Sequence, residues 1–366
     1  MNEKSELKIR DKILQLPAFL PDATSGYVRA VDSQDLLQVH IQALVMNTFH
    51  LMQKPGSSTI QAFDGLHHFA GWPGVIITDS GGFQAYSLIH ESDRFGTISE
   101  RGILLRPEGQ KRKFLLSPQK SIQLQFSYDS DVVICLDDCT HVDDPREVQE
   151  TSVARTLNWA QRCKEEYKHQ INQRQLEVTQ RPLIFGVIQG GGYPDLRRKC
   201  AEGLLEIGFD GFGYGGWPLD AQNNLLIDMV SLTRELIPGE FPMHALGIGH
   251  PVNLKTTYEL GYAIFDCALP TRDARHGRLM RFTIPPNQPL GNGEDWLDYV
   301  YIQDKKYIKD GRPISEFCDC PVCNHYSLGY LHHLFKTGDW LYHRLATLHN
   351  LRFMTQLTGR LRGEDG

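Results

Sequence analysis

The chain has 366 residues and 41% apolar content, enough to bury a sizeable core, and no stretch approaches the length of a membrane span. Lys and Arg total 38 against 44 Asp and Glu, a net charge of −6, which excludes a generally basic protein but leaves room for a local basic patch that binds nucleic acid. The charged segment Met1 to Gln15 lacks the apolar centre of a signal peptide, and 8 cysteines in such a chain suggest metal binding or buried thiols before disulfides, so a cytoplasmic location is expected.

In chain order, a series of short apolar runs stops at residues able to do chemistry. Val75-Ile76-Ile77-Thr78 ends at Asp79-Ser80-Gly81-Gly82-Phe83-Gln84, and Val132 to Leu136 ends at Asp137-Asp138-Cys139. An amphipathic stretch then runs from Ser152 toward Glu166, and Gln170 to Arg181 reads as a polar loop. Leu183 to Ile188 ends at Gln189-Gly190-Gly191, and Asp195 to Leu205 reads as a helix closed by Gly208. Phe209 to Phe212 leads into Gly215-Gly216, Ala245-Leu246 into Gly247-Ile248-Gly249, and Tyr262 to Phe265 into Asp266-Cys267.

Apolar runs of this length suit strands buried on both faces, and their alternation with helical patterns argues for βα units and a parallel sheet. Strand after strand ending in carboxylates, amides and glycines predicts an α/β barrel with its active site at the strand C-termini. Near Pro285 the rhythm breaks, with Pro-Pro-Asn-Gln-Pro and Gly-Asn-Gly, so residues 1–284 are expected to form the barrel and 285–366 a smaller unit with C-terminal helices packed on it.

That smaller unit holds Cys318-Asp319-Cys320-Pro321-Val322-Cys323. Three thiolates in one tight loop repel one another unless a cation neutralises them, and a soft tetrahedral sulfur set favours Zn²⁺. A closed structural site needs a fourth ligand, and spacing leaves His325, His332, His333, His343 and His349 all open.

Together these motifs resemble the tRNA-guanine transglycosylases. The match rests on Asp79 to Gln84, Gln189-Gly190, Gly215-Gly216, Phe265-Asp266-Cys267, Pro270-Thr271-Arg272, the three cysteines and Leu348-His349-Asn350-Leu351-Arg352. Asn47-Thr48-Phe49-His50-Leu51 is similar to the family's early Asn-Thr-Tyr-His-Leu segment. The resemblance implies an irregular (β/α)₈ TIM barrel with an attached zinc-binding subdomain, one structural Zn²⁺ per chain, and His349 as the fourth ligand. It implies exchange of guanine at the tRNA anticodon wobble position for a 7-deazaguanine base, either queuine or a precursor. Asp266 would be the nucleophile and Asp79 the general acid/base. Asp137, Gln189 and Gly216 would read the base, with Phe83 and Leu246 closing its two faces. Arg272 and Arg275 would contact the RNA flanking the target. Family members often pair through the zinc-side surface, so a homodimer is among the expected assemblies.

The chemistry is consistent with these side chains in its own right. Base replacement at C1′ is a glycosyl transfer, for which a carboxylate can form a covalent glycosyl-enzyme, and two inversions restore the configuration. The basic run Lys305 to Arg312 is a further candidate for phosphate contacts. The chain departs from the family at Trp217-Pro218-Leu219-Asp220-Ala221, where Leu-Ala-Val-Gly-Glu is usual, at Leu246 for Met and at His244 for Tyr. These changes leave the identity of the inserted base open. Two other readings are a paralogue modifying DNA and a non-catalytic nucleic-acid-binding scaffold of the same fold.

Overall fold

The structure, a computed structural model, describes residues 5–92, 95–106, 113–291 and 293–364. Residues 1–4 of the charged N-terminal segment and Asn292 of the Gly-Asn-Gly break lie outside the described residues. The chain opens with a hairpin of β1 (Glu6–Ile9) and β2 (Lys12–Gln15). Barrel strands follow as β3 (Ala18–Pro21), β4 (Ala43–Asn47) and β5 (Val75–Asp79). A small antiparallel sheet of β6 (Gly96–Ser99), β7 (Gly102–Leu105) and β8 (Phe114–Leu116) is inserted next. The barrel resumes with β9 (Val132–Ile134), β10 (Leu183–Ile188), β11 (Gly211–Tyr214), β12 (Met243–Ala245) and β13 (Ile264–Cys267). A second hairpin, β14 (Arg278–Phe282) with β15 (Leu297–Tyr301), leads to the C-terminal helices.

The eight barrel strands run in the order β3-β13-β12-β11-β10-β9-β5-β4, all neighbours parallel. A single parallel bridge between Asp22 and Val45 brings the two ends of the sheet together, with Ala23 N donating to Val45 O at 2.8 Å. The sheet is therefore a nearly closed (β/α)₈ barrel, as the strand ends predicted.

Alternation along each strand explains the runs read from the sequence. Val75, Ile77, Val132, Ile134, Phe185 and Val187 fill the lumen, while Ile76, Val133, Ile184 and Ile188 face the surrounding helices. Both faces are buried, so the strands show continuous apolar sequence. The first hairpin plugs the barrel's lower end: Leu7, Ile9, Leu14 and Leu16 join the lumen cluster. It is fastened by Asp131, fully buried, which takes Lys12 Nζ at 2.9 Å, His67 Nε2 at 3.0 Å and Ile76 N at 2.9 Å. Burial works to raise this carboxyl's pKa, but the hydrogen bonds and charges of His67 and Lys12 hold it below the ordinary value.

One helix differs from expectation and a second agrees with it at its C-terminus. The helix Arg146–Arg174 is longer than the stretch read from Ser152 and consumes the first residues of the expected Gln170 to Arg181 loop. The helix Pro194–Ile207 ends as predicted, with Gly208 at φ 82 as its cap. Strands β3 and β4 were not among the runs singled out. Among the described residues no helix is long and apolar enough to cross a membrane.

Candidate active site and metal cluster

Every residue that ends a barrel strand here lies on the same rim. Asp79 is the last residue of β5, Gln189 follows β10, Leu246 follows β12, and Asp266 lies near the end of β13. Asp79, Phe83, Asp137, Gly216, Leu246 and Asp266 line one cavity of about 580 Å³. Gln189 is wholly buried beside it, reaching Asp137 Oδ2 through Nε2 at 2.7 Å.

Asp79 is held from three directions. Asn47 Nδ2 donates to Oδ2 at 2.7 Å, while Thr48 N and Gly81 N donate to Oδ1 at 3.1 and 2.9 Å. The Gly81 bond means that Asp79 also does the work of a turn aspartate, bracing the Ser80-Gly81-Gly82 loop. Burial pushes its pKa up to about 7; the three donors oppose the rise and the nearby charge of Asp266 adds to it. A carboxyl poised there can hold or release a proton near neutrality.

Asp266 has a different environment. His244 Nε2 lies 2.8 Å from Oδ1, and Gly247 N donates to the same oxygen at 3.2 Å. Its side chain keeps 19% exposure toward the cavity. The partners are thus a histidine and a backbone amide, and neither Arg272 nor Arg275 forms the ion pair that a purely structural aspartate would suggest.

The remaining wall combines one buried carboxylate with apolar and aromatic surface. Burial pushes Asp137 up to about 6, its hydrogen bond from Gln189 opposing and the neighbouring Asp138 charge reinforcing the rise. Asp138 points away to Arg155 and does not face the cavity. Gln189 Oε1 is buried with no partner among the described residues. Gly215 is required because a Cβ there would stand 2.6 Å from Gln189 Nε2, and Gly216 turns the chain at φ +83. Phe83 is 43% exposed and meets Trp217 edge-on at 5.0 Å, with His141 6.0 Å beyond. Leu246 lines the cavity and also packs on the lumen cluster. Ala221 and Leu219 complete the loop side, and Asp220 spends its carboxylate on the backbone of Gln222 and Asn224 and on the Asn224 amide.

Sequence reasoning missed several residues that build this rim. Asn47 ends the apolar run Ala43 to Met46, so the strand-end rule applied to β4 would have found it. His244 gave no signal beyond its departure from the family pattern. Arg197 gave none at all: it sits in a helix yet is fully buried, donating to the carbonyls of Gly191 at 2.9 Å, Ile188 at 3.1 Å and Gly215 at 3.2 Å. It stacks on Tyr214 at 4.0 Å and ties the two glycine loops to one guanidinium.

Arg272 and Arg275 follow Asp266 on the helix Leu269–Arg275, outside the cavity wall. Burial lowers Arg275, and the positive charges of Arg29 and Arg272 lower it further; its Nη1 is buried without a partner. His343 lies on the adjoining helix Trp340–Arg362, is also lowered by burial and then by Arg275 and His276, and has an unpartnered Nδ1. Of the basic run, Arg312 is paired with Asp310 at 2.8 Å and Lys306 lies 3.7 Å from Asp304, leaving Lys305 and Lys309 exposed.

The cysteine loop and the C-terminal helix meet as expected. The ligand atoms of Cys318, Cys320, Cys323 and His349 all lie within 4.8 Å of one another, a cluster able to hold a metal ion. His349 Nδ1 is 3.7, 3.6 and 3.3 Å from the three sulfurs. Its Nε2 donates to Met280 O at 2.7 Å, which leaves the Nδ1 lone pair facing the thiols. The other candidate histidines lie outside this set.

Comparison with known proteins gives the same direction over the whole chain. The profile of the family described as Queuine tRNA-ribosyltransferase matches residues 4–364. Queuine tRNA-ribosyltransferases of a Psychrobacter species and a Thermoanaerobacter species are 36% and 35% identical, over 95% and 96% of this chain and 86% of each relative. One from Acinetobacter baylyi is 34% identical over 98% of this chain and 86% of its own.

Proposed function

The chain belongs to the queuine tRNA-ribosyltransferase family and is a pentosyltransferase, and on that premise we propose that it exchanges guanine at the wobble position of tRNA for a 7-deazaguanine base through a covalent intermediate on Asp266. The observation that carries this reading is the pairing of two unlike carboxyls on one cavity. Asp79 is buried and raised to about 7, whereas Asp266 is partly exposed and anchored through one oxygen only. Divergent environments assign divergent roles. Asp266 attacks C1′ as the bond to the departing guanine breaks, and Asp79 supplies that base with a proton; the incoming base then displaces Asp266 and returns a proton to Asp79.

Asp137 accepts from the N1–H and N2–H of the base, and donors at Gln189 and Gly216 meet its O6. Before binding, Gln189 holds Asp137. A purine lacking those donors would leave Asp137 buried and unpaired, which predicts strong discrimination. Phe83 and Leu246 close the two faces of the base. Arg275, crowded by the charges of Arg29 and Arg272 and with an Nη1 that has no partner among the described residues, favours a polyanion beside the nucleophile, in keeping with an RNA whose target nucleotide is turned out of its stack. Residues 285–366 are taken as the metal-bearing unit. Zn²⁺ fits its donor set: tetrahedral Zn–S and Zn–N bonds place sulfur and nitrogen about 3.5 Å apart, close to the spacings at His349. Bound there, Zn²⁺ would neutralise the thiolates and hold the loop to the helix. A cytoplasmic location and a homodimer belong to the same reading.

The direct test is incorporation of labelled guanine into unmodified tRNA carrying guanine at the first anticodon position, with DNA as the competing acceptor. Incorporation into tRNA supports the reading; incorporation into DNA alone, or none by folded protein, overturns it. The pH profile provides a second check. The pKa of Asp79 lies above its ordinary 3.8, so its protonated form persists to about 7 and is lost as pH rises further. Single-turnover adduct formation should therefore fall about tenfold per pH unit above that point. Asp79→Asn should be slower by about 10²–10⁴-fold and should lose the break. A wild-type rate that stays flat from pH 6 to 9 would remove Asp79 from the acid role.

A further inference from the structure

His244 is an unusual residue to find in the lumen of a barrel. Its neighbours Met243 and Ala245 join the outer core, so His244 points inward. In register it faces Gly213 on one side and Ile264 on the other, and Ile264 belongs to the lumen cluster. The imidazole is fully buried, and among the described residues its Nδ1 has no hydrogen-bond partner. An unpaired ring nitrogen in an apolar lumen is unfavourable, and an apolar side chain would serve packing better. The compensating contact is Nε2 to Asp266 Oδ1 at 2.8 Å. A hydrogen placed on Nδ1 would be a buried donor with nothing to receive it, so the geometry puts the hydrogen on Nε2, where it is donated to the carboxylate.

This bond selects between the two oxygens of Asp266. Both of its hydrogen-bond donors, His244 Nε2 and Gly247 N, converge on Oδ1. Among the described residues no donor reaches Oδ2, which keeps its lone pairs. We propose that His244 is a positioning residue that reserves Oδ1 as the carbonyl oxygen of the glycosyl ester and presents Oδ2 as the attacking atom. This rests on the proposed covalent intermediate. As Oδ2 bonds to C1′, the bond from C1′ to the base nitrogen breaks, its electron pair leaves with the base, and Asp79 supplies the proton. Oδ1 becomes the ester carbonyl, still held by the same two donors. In the second half-reaction the C1′–Oδ2 bond breaks, and those donors receive the returning carboxylate charge without rearrangement.

The test uses the full-length protein and unmodified tRNA. His244→Phe removes the donor while filling the lumen, and His244→Gln restores one side-chain N–H. If Phe prevents folding, His244→Leu takes its place. Single-turnover adduct formation should slow by about 10²-fold in the apolar variant, with KM for tRNA changed less than about threefold. The Gln variant should recover to within about tenfold of wild type, and the apolar variant should melt no lower than wild type because it removes an unpaired nitrogen. A merely structural histidine predicts the reverse pattern: lower melting and no selective rescue by Gln. Adduct formation at the wild-type rate in a folded apolar variant overturns the proposal. Absence of adduct in the wild type instead overturns the covalent reading beneath it, so the two failures are distinguishable.

Discussion

Replacing Asp266 with Ala is expected to lower labelled-guanine incorporation into tRNA by roughly 10⁴-fold and to abolish the covalent tRNA–protein band on a denaturing gel. The choice of Asp266 over Asp79 follows from their surroundings. Both oxygens of Asp79 are committed, to Asn47 on one side and to Thr48 and Gly81 on the other. With its pKa pushed up to about 7 it is about half protonated at neutral pH, which suits a group that gives and takes a proton and weakens a nucleophile. Asp266 carries its donors on one oxygen and keeps 19% of its side chain open to the cavity. Loss of Asp79 should therefore slow adduct formation, whereas loss of Asp266 should eliminate it. A band that survives in Asp266→Ala and vanishes in Asp79→Asn would reverse the two roles.

The barrel and much of its rim were legible because buried parallel strands leave a continuous apolar trace that ends where the loop chemistry begins. Val75 to Asp79 shows this directly: Ile76 faces the helices, Val75 and Ile77 the lumen, and the first charged side chain, Asp79, marks the rim. Strand β3 was harder to see because only Ala18 to Pro21 carries the pattern, between prolines at 17 and 21. Side chains that act across the fold leave less trace. Arg197 reads as the polar face of an amphipathic helix, and only the folded chain shows carbonyls from two glycine loops and from the end of β10 converging on it. His244 stands out in the sequence only as a departure from the family pattern, and its meaning depends on Asp266, 22 residues away. The cysteine loop was evident from spacing alone, but its fourth partner was not. Among several histidines, only His349 combines full burial with an Nδ1 aimed at the sulfurs, a property of helix phase rather than of distance in sequence.

That cluster underlies the largest expected effect on stability. Its three sulfurs and imidazole nitrogen lie within 4.8 Å of one another, and three thiolates that close repel unless a cation neutralises them. One thiolate can be shared among these groups, but three cannot without a metal. The strain would not stay local. His349 Nε2 holds Met280 O, and the adjacent Asn350 holds Pro270 O at 2.9 Å, Arg278 O at 3.1 Å and Met280 N at 3.0 Å. Pro270 lies in the first turn of the helix that carries Arg272 and Arg275 just beyond Asp266. His349→Ala, or chelation of the full-length wild type, should therefore remove zinc from the protein, lower its melting temperature by about 10 °C and weaken tRNA binding together with exchange. Elemental analysis beside a thermal melt and an exchange assay would check all three. Protein that contains no zinc as purified and melts at the same temperature with and without chelator would show that the thiol cluster supports the fold without a metal.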